Sequence, residues 1–249
     1  MVKHGMRGCV EWHMRFHRGH KARSRSYRSA DAEWWCLRPR KCIIIGVGLI
    51  HRHGLGAPQV EVLCLIRHGE TDWNRAGRFQ GVQDIPLNAV GADQATRCGL
   101  WLAREPWDAV LCSPLIRAKK SAEIIAEHVR VESVCVVANL RERDYGDATG
   151  LTGEQVASRY PDGHVPNMEE RTSVTHRAMR ALQWAIDRHA GKKVVLVSHG
   201  AFINSVLAMV SDGQIGSGKT VLKNACISQI IHVSGSWGVA FCNSTEHLK

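Results

Sequence analysis

The sequence predicts an α/β domain with a largely parallel central sheet. Three observations carry that reading. Runs of strand length, rich in Val, Ile and Leu, recur at Val60–Ile66, Trp107–Cys112, Val131–Ala138 and Lys193–Ser198. Helix-length stretches with apolar residues at helical spacing separate them, as crossovers between parallel strands require. The last two runs, Ala225–Val233 and Gly238–Cys242, are separated only by Ser234–Trp237, which predicts a hairpin.

The chain opens on a different composition. Residues 1–58 hold 12 Lys and Arg against 3 Asp and Glu, a net +9, and the rest of the chain accounts for only +1 of the total +10. The basicity that would invite a nucleic-acid partner thus belongs to the leader, and none is expected of the domain. Residues 1–41 show neither helical nor strand periodicity and are expected to be disordered. Arg15–Ser29 has the composition of an organellar transit peptide, and an RNA-binding arm fits the charge. His13, His17 and His20 have metal-like spacing but no cysteine or carboxylate beside them. The preferred reading is a start assigned too early, with synthesis beginning near the first strand. Cys42–Ile50 is far short of the ~20 apolar residues a bilayer crossing needs. The domains are therefore a basic extension, 1–58, and a folded domain, 59–249.

Within the domain, Asn88 caps a helix running to about Arg104, with Gly91, Ala95 and Leu100 packing it on the sheet. Ser113 ends the second strand and caps a helix to about His128. Arg117 lies one turn in; Lys119 and Lys120 are solvated. Thr152 with Gln155 predicts a capping box for a short helix to Tyr160, and 161–166 is a loop. Glu169–His189 is a long amphipathic helix stopped by Gly191. Ala201–Val210 is the last helix. Nine cysteines are scattered without C-x-x-C spacing. Cys64, Cys112 and Cys226 sit in apolar runs as buried thiols, which points to a reducing cytoplasm.

The first strand ends on Arg67, His68 and Gly69. Charged groups there are costly to desolvate, and the carboxyl edge of such a sheet is where ligands bind. A neutral imidazole could attack phosphorus and hold the group covalently. A neighbouring guanidinium could fork two phosphate oxygens and keep the ring neutral. The tripeptide alone better suits a surface Arg-His after an edge strand. A second triplet, Arg52-His53-Gly54, lacks a following Glu-Thr and a spaced Asn, and is rejected as the nucleophile site.

The wider pattern decides between these readings. Arg67-His68-Gly69-Glu70-Thr71-x-x-Asn74 is followed by Phe79-Gln80-Gly81, Asp84, Pro86-Leu87, Gly91 and Gln94-Ala95. Then come Ser113–Ala122, Glu142–Leu151 and Val195–Gly200. In this order the blocks resemble the histidine phosphatases, the phosphoglycerate-mutase-like superfamily, nearest its bacterial phosphatase branch. The resemblance implies a three-layer sandwich, a mostly parallel sheet flanked by helices. It implies His68 as nucleophile and Arg67, Arg117 and His199 around the phosphate. Glu142 is implied as proton donor and then base. Asn74, Gln80, Gly81, Arg143, Tyr145 and Gly200 are implied to bind substrate. Neither metal nor cofactor is expected, since two arginines and a histidine supply the positive charge. The expected partner is a small phosphorylated substrate; no membrane partner is expected, and a homodimer is compatible with the sequence.

That family holds phosphatases and mutases. Glu142-Arg143-x-Tyr145-Gly146 is mutase-like, but Leu151-Thr152-Gly153 stands where those mutases place a lysine, and their downstream Arg-Arg pair is missing. The short stretch from Glu142 to His199 leaves little for a lid against water. A phosphomonoester hydrolase is expected. The alternatives are a 2,3-bisphosphoglycerate-dependent phosphoglycerate mutase and a non-catalytic phosphate-binding module. Gly213–Thr220, G-Q-I-G-S-G-K-T, matches a P-loop as a string. It follows a helix and precedes a strand, the reverse of what such a loop needs, and is read as a glycine loop from which Lys219 could reach the substrate's far end.

Overall fold

Val60–Arg67 (β1) forms the strand its β-branched run predicts. The structure, a computed structural model, describes residues 60–249. The basic extension, with its Cys42–Ile50 run, its three spaced histidines and the Arg52-His53-Gly54 triplet, lies outside the described residues. After β1 come Asp72–Arg75 (α1), Ala89–Leu102 (α2), Ala109–Cys112 (β2), Ile116–Val129 (α3) and Val134–Val136 (β3). Gly153–Arg159 (α4), Arg171–Arg188 (α5), Lys193–Ser198 (β4), Gly200–Val210 (α6), Ile227–Val233 (β5) and Ser236–Ser244 (β6) complete the domain.

The sheet order is β3-β2-β4-β1-β5-β6. The first four are parallel, β5 runs antiparallel to β1, and β6 to β5. Alternating residues of the central strands feed two cores. Leu63, Leu65, Leu111 and Leu196 pack under α5 and α6. Cys64, Ile66, Val110 and Val197 pack under α2 and α3. These are the three layers the resemblance implies. Burial pushes the thiols of Cys112 and Cys226 up to about 12, which leaves them neutral. Among the described residues no helix is long and apolar enough to cross a membrane.

This topology makes the site. β1 and β4 are neighbours, with Arg67 beside Ser198. On one face lies α2 and on the other α6, the helix after β4, so a crevice opens between the carboxyl ends of the two strands, where such sheets bind ligands.

Several elements differ from expectation. Ser113 does not cap α3: its hydroxyl accepts from Leu115 N, before the helix begins. The Ile116 amide instead donates to Asp84 Oδ1 at 2.6 Å, from a loop 32 residues earlier in sequence. Arg117 is consequently the second helical residue rather than one turn in. The third strand shrinks to three residues, because Arg130 turns left-handed (φ 59°) and Val131 N is held by Ala126 O at the helix end. Leu100 is 57% exposed; Cys98 and Leu102 face the sheet instead. The hairpin turn is Ser234-Gly235 alone, both at positive φ, as a two-residue type I′ turn needs.

Gly69 is not a left-handed turn residue. It serves a close approach: a Cβ there would lie 2.2 Å from Gly91 O, and one on Gly91 would lie 2.1 Å from Glu70 O. The start of α2 thus rests directly on the backbone after His68. The clash partner is main chain and cannot swing away. Gly91→Ala is expected to destabilise the protein by about 1–3 kcal/mol; an unchanged urea midpoint would count against this contact.

Candidate active site

Arg67 and His68 leave the end of β1 with their main chain tied on several sides. His68 N donates to Ser198 O (2.9 Å) and Ala225 N to His68 O (3.2 Å). Asn224 Nδ2 donates to His68 O, Gly69 O and Asn74 Oδ1, the last at 3.0 Å. Asn224 carries no local sequence signal; it stands alone in a loop between Lys223 and Ala225.

His68 Nδ1 lies 2.7 Å from Gly69 O. A carbonyl only accepts, so Nδ1 carries the proton and Nε2 keeps its lone pair. Arg117 Nε donates toward that Nε2 at 3.3 Å. The ring is 3% exposed. Burial first, then the charges of Arg117 and Arg67, holds its pKa well below the usual histidine value. A buried, neutral imidazole of fixed tautomer is the form a nucleophile needs.

Arg117 is aimed by its surroundings. Its NH1 and NH2 donate to Gln83 O (2.7 Å) and Gly81 O (2.8 Å), and its helix is capped from that same loop by Asp84. Burial lowers its pKa to about 10, so it stays charged at neutral pH. Arg67 NH1 donates to Leu222 O, while its buried Nε meets no protein acceptor among the described residues.

His199, at the end of β4, is wholly buried with its ring centroid 5.1 Å from that of His68. Its Nε2 contacts Ser113 Oγ at 2.7 Å and its Nδ1 has no protein partner among the described residues. Burial and the charge of Arg117 keep its pKa well below the usual value too. Glu142 lies at the start of α6: its Oε2 accepts from Ala201 N, and its Oε1 from Phe202 N and Arg143 N.

One cavity of about 600 Å³ unites these groups. Arg67, His68, Asn74, Gln80, Gly81, Arg117, Glu142, Arg143, Tyr145 and Gly200 all line it. Of the catalytic and substrate-binding residues the resemblance implies, His199 is the one that does not line it. Gly200 leaves room between two functional groups, since a Cβ there would sit 3.7 Å from Arg67 Nε and 3.8 Å from Glu142 Oε2. Asn74 also closes the capping box of α1, with Thr71 N donating to its Oδ1.

The model of the histidine phosphatase superfamily (branch 1) matches residues 63–245. The chain belongs to that superfamily. It is 42% identical over 187 residues to the uncharacterized phosphatase PhoE of Bacillus subtilis, covering 75% of this chain and 96% of that one. It is 30% identical over 204 residues to the metal-independent phosphoserine phosphatase of Arabidopsis thaliana, covering 77% and 84%. Among solved structures, Bacillus stearothermophilus YhfR superposes with a TM-score of 0.71 at 29% identity, covering 76% of this chain and all of that one.

For a histidine phosphatase, the far wall of the cavity is the part the sequence hid. Arg171, the first residue of α5, lines it with Arg143 and Tyr145. Burial and then the charge of Arg171 lower the Arg143 pKa, which marks the two cations as neighbours. The Arg143 guanidinium lies 5.9 Å from the Tyr145 ring centroid, and Phe79 packs on Tyr145 at 4.8 Å. Arg143 and Arg171 are 28 residues apart in sequence, and the fold brings both to this cavity. Lys219 does not line the cavity; its Nζ donates back to Gly213 O at 2.5 Å. Ser217, Gly218 and Thr220 of the P-loop-like string contribute to the rim.

Proposed function

We propose that residues 59–249 form a phosphomonoester hydrolase that works through a phosphohistidine on a small phosphorylated metabolite. The observation that carries this is His68: neutral, buried, its Nε2 free of a proton at the floor of a cavity flanked by Arg67 and Arg117. Nε2 attacks phosphorus, and the bond from phosphorus to the leaving oxygen breaks with its electron pair on that oxygen. Glu142 gives the oxygen a proton. Water then yields a proton to the Glu142 carboxylate and attacks phosphorus, and the P–N pair returns to Nε2. Arg67 and Arg117 stabilise the equatorial oxygens, with His199 Nδ1 as a further donor. His68, Glu142, Arg117, Arg67 and His199 supply every charge and proton in this scheme.

Arg143, Arg171 and Tyr145 suit a second anionic group, so the favoured substrates pair a phosphate with a carboxylate. Phosphoserine, for which the Arabidopsis relative is named, is of that kind. The free thiols among the described residues fit a reducing cytoplasm. The Arg143–Tyr145 pair also favours one other reading, a phosphoglycerate mutase. Water access separates the two, and Val221 at the cavity rim is 80% exposed. Phosphate release should therefore far exceed conversion of 3- to 2-phosphoglycerate, with or without added 2,3-bisphosphoglycerate. Fast interconversion primed by the bisphosphate, with slow release, would assign the mutase instead.

A further inference from the structure

Arg177, on α5, is 2% exposed and stands outside the cavity lining. A buried guanidinium away from the chemistry needs an account. Its five N–H groups are all spent. Nε donates to Glu169 Oε1 (2.9 Å) and NH2 to Glu169 Oε2 (3.0 Å), a bidentate pair. NH1 donates to Asn139 O (3.0 Å) and Arg141 O (2.6 Å), and NH2 also to Glu142 O (3.0 Å). Three carbonyls of the segment that delivers Glu142 thus converge on one side chain.

Glu169 extends the clamp. Its Oε2 accepts from Asp144 N and its backbone carbonyl from Arg143 Nε at 2.6 Å. Burial pushes its carboxyl up, but the hydrogen bonds and charge of Arg177 outweigh that and hold it below the usual range. The guanidinium also lies 5.7 Å from the ring centroid of Phe202, whose N–H donates to Glu142 Oε1. Segment 139–144 is otherwise irregular, a short 3₁₀ turn followed by loop. Nothing periodic fixes where its carboxylate goes.

The geometry points to Arg177 and Glu169 as positioning residues for Glu142: they set the acid–base carboxylate by gripping its main chain, while the α6 amides grip its oxygens. This deepens the phosphatase reading and rests on Glu142 being the acid. Lysine has three donors in no fixed plane and cannot reproduce a five-bond fork. The defect in Arg177→Lys should therefore appear where protonation of the leaving group matters.

The test is a double-mutant cycle on the full chain, comparing an alkyl phosphate with 4-nitrophenyl phosphate and reading the nitrophenolate burst for the first step. Arg177→Lys should lower kcat on the alkyl ester by about 10- to 100-fold and leave the burst rate within about two-fold. In a Glu142→Gln background the same change should cost less than about two-fold. A first-step loss equal on both esters, or a loss on the alkyl ester undiminished in that background, would overturn the proposal and make Arg177 a stabiliser of the fold alone. If Glu142→Gln itself leaves the alkyl ester rate intact, the acid assignment fails first and takes the proposal with it. Should Arg177→Lys not fold, Glu169→Gln keeps the guanidinium and its carbonyl bonds but removes the charged partner, and is held to the same outcomes.

Discussion

His68→Ala will abolish phosphomonoester hydrolysis, a loss of about 10⁴-fold or more, and no acid-labile phosphoenzyme will accumulate. The arginines can hold a phosphate without it, so substrate should still bind; what disappears is the atom that accepts the phosphoryl group. Quench experiments with labelled phosphate read both steps. His53→Ala, in the other Arg-His-Gly triplet, should change neither; if His53 proves essential and His68 dispensable, the nucleophile has been assigned to the wrong triplet. The same burial has a pH consequence. His68 and His199 are held well below their ordinary pKa in the fold, while in the unfolded chain they titrate near 6.5. Below that pH the unfolded state binds protons that the folded state refuses, so their contribution to stability is complete above about pH 6.5. It is lost as pH falls toward the depressed values. Denaturation midpoints between pH 7 and 5 should fall less steeply in His68→Ala than in the parent.

Glu142→Gln will slow turnover of alkyl phosphates by about 10²–10⁴-fold. The formation of phosphohistidine from 4-nitrophenyl phosphate should suffer least, because nitrophenolate leaves without a proton. The amide keeps one acceptor oxygen, which can still take the Phe202 and Arg143 amides that meet Oε1, and gives up only the Ala201 N–H bond to Oε2, so the segment should stay in place and the loss can be read as chemistry. Hydrolysis of the phosphoenzyme should slow as well, since the same carboxylate then serves as base. An equal loss in the rate of phosphohistidine formation from the two esters would contradict the acid role.

The central strands and the residues on their carboxyl ends were legible because two signals coincide there. An apolar run of strand length stops on polar residues that a buried strand would not tolerate without a purpose. That reading places His68 and His199 at strand ends, and the family blocks single them out together with Arg117 and Glu142. What stayed hidden was made by contacts between distant segments. Asp84 caps α3 from another loop, so the nearest serine was the wrong choice. Arg177 and Glu169 look like solvated charges of an amphipathic helix. The carbonyl partners of Arg177 lie more than 30 residues earlier, in a loop with no periodicity. Arg171 meets Arg143 only because α5 starts at the cavity. Leu100 faces outward, and helical spacing alone does not say which side of α2 meets the sheet.

The pairing of β1 with β4 also bears on the order of folding. Arg67 and Ser198 are neighbours in the sheet though more than half the chain separates them, and β5 closes the other edge of β1 still later in sequence. Such non-local pairings are slow to form, since the loop entropy must be met before the contacts reward it. Until then β1 is a Leu-Cys-Leu-Ile strand, apolar on both faces and unpaired on both edges, the kind of segment that associates with other chains. A ribosome must finish nearly the whole domain before β1 is covered. Ligands that bridge the β1 and β4 ends can bind only the completed sheet, so phosphate or a vanadate-like anion should raise the yield of refolding and slow unfolding by mass action.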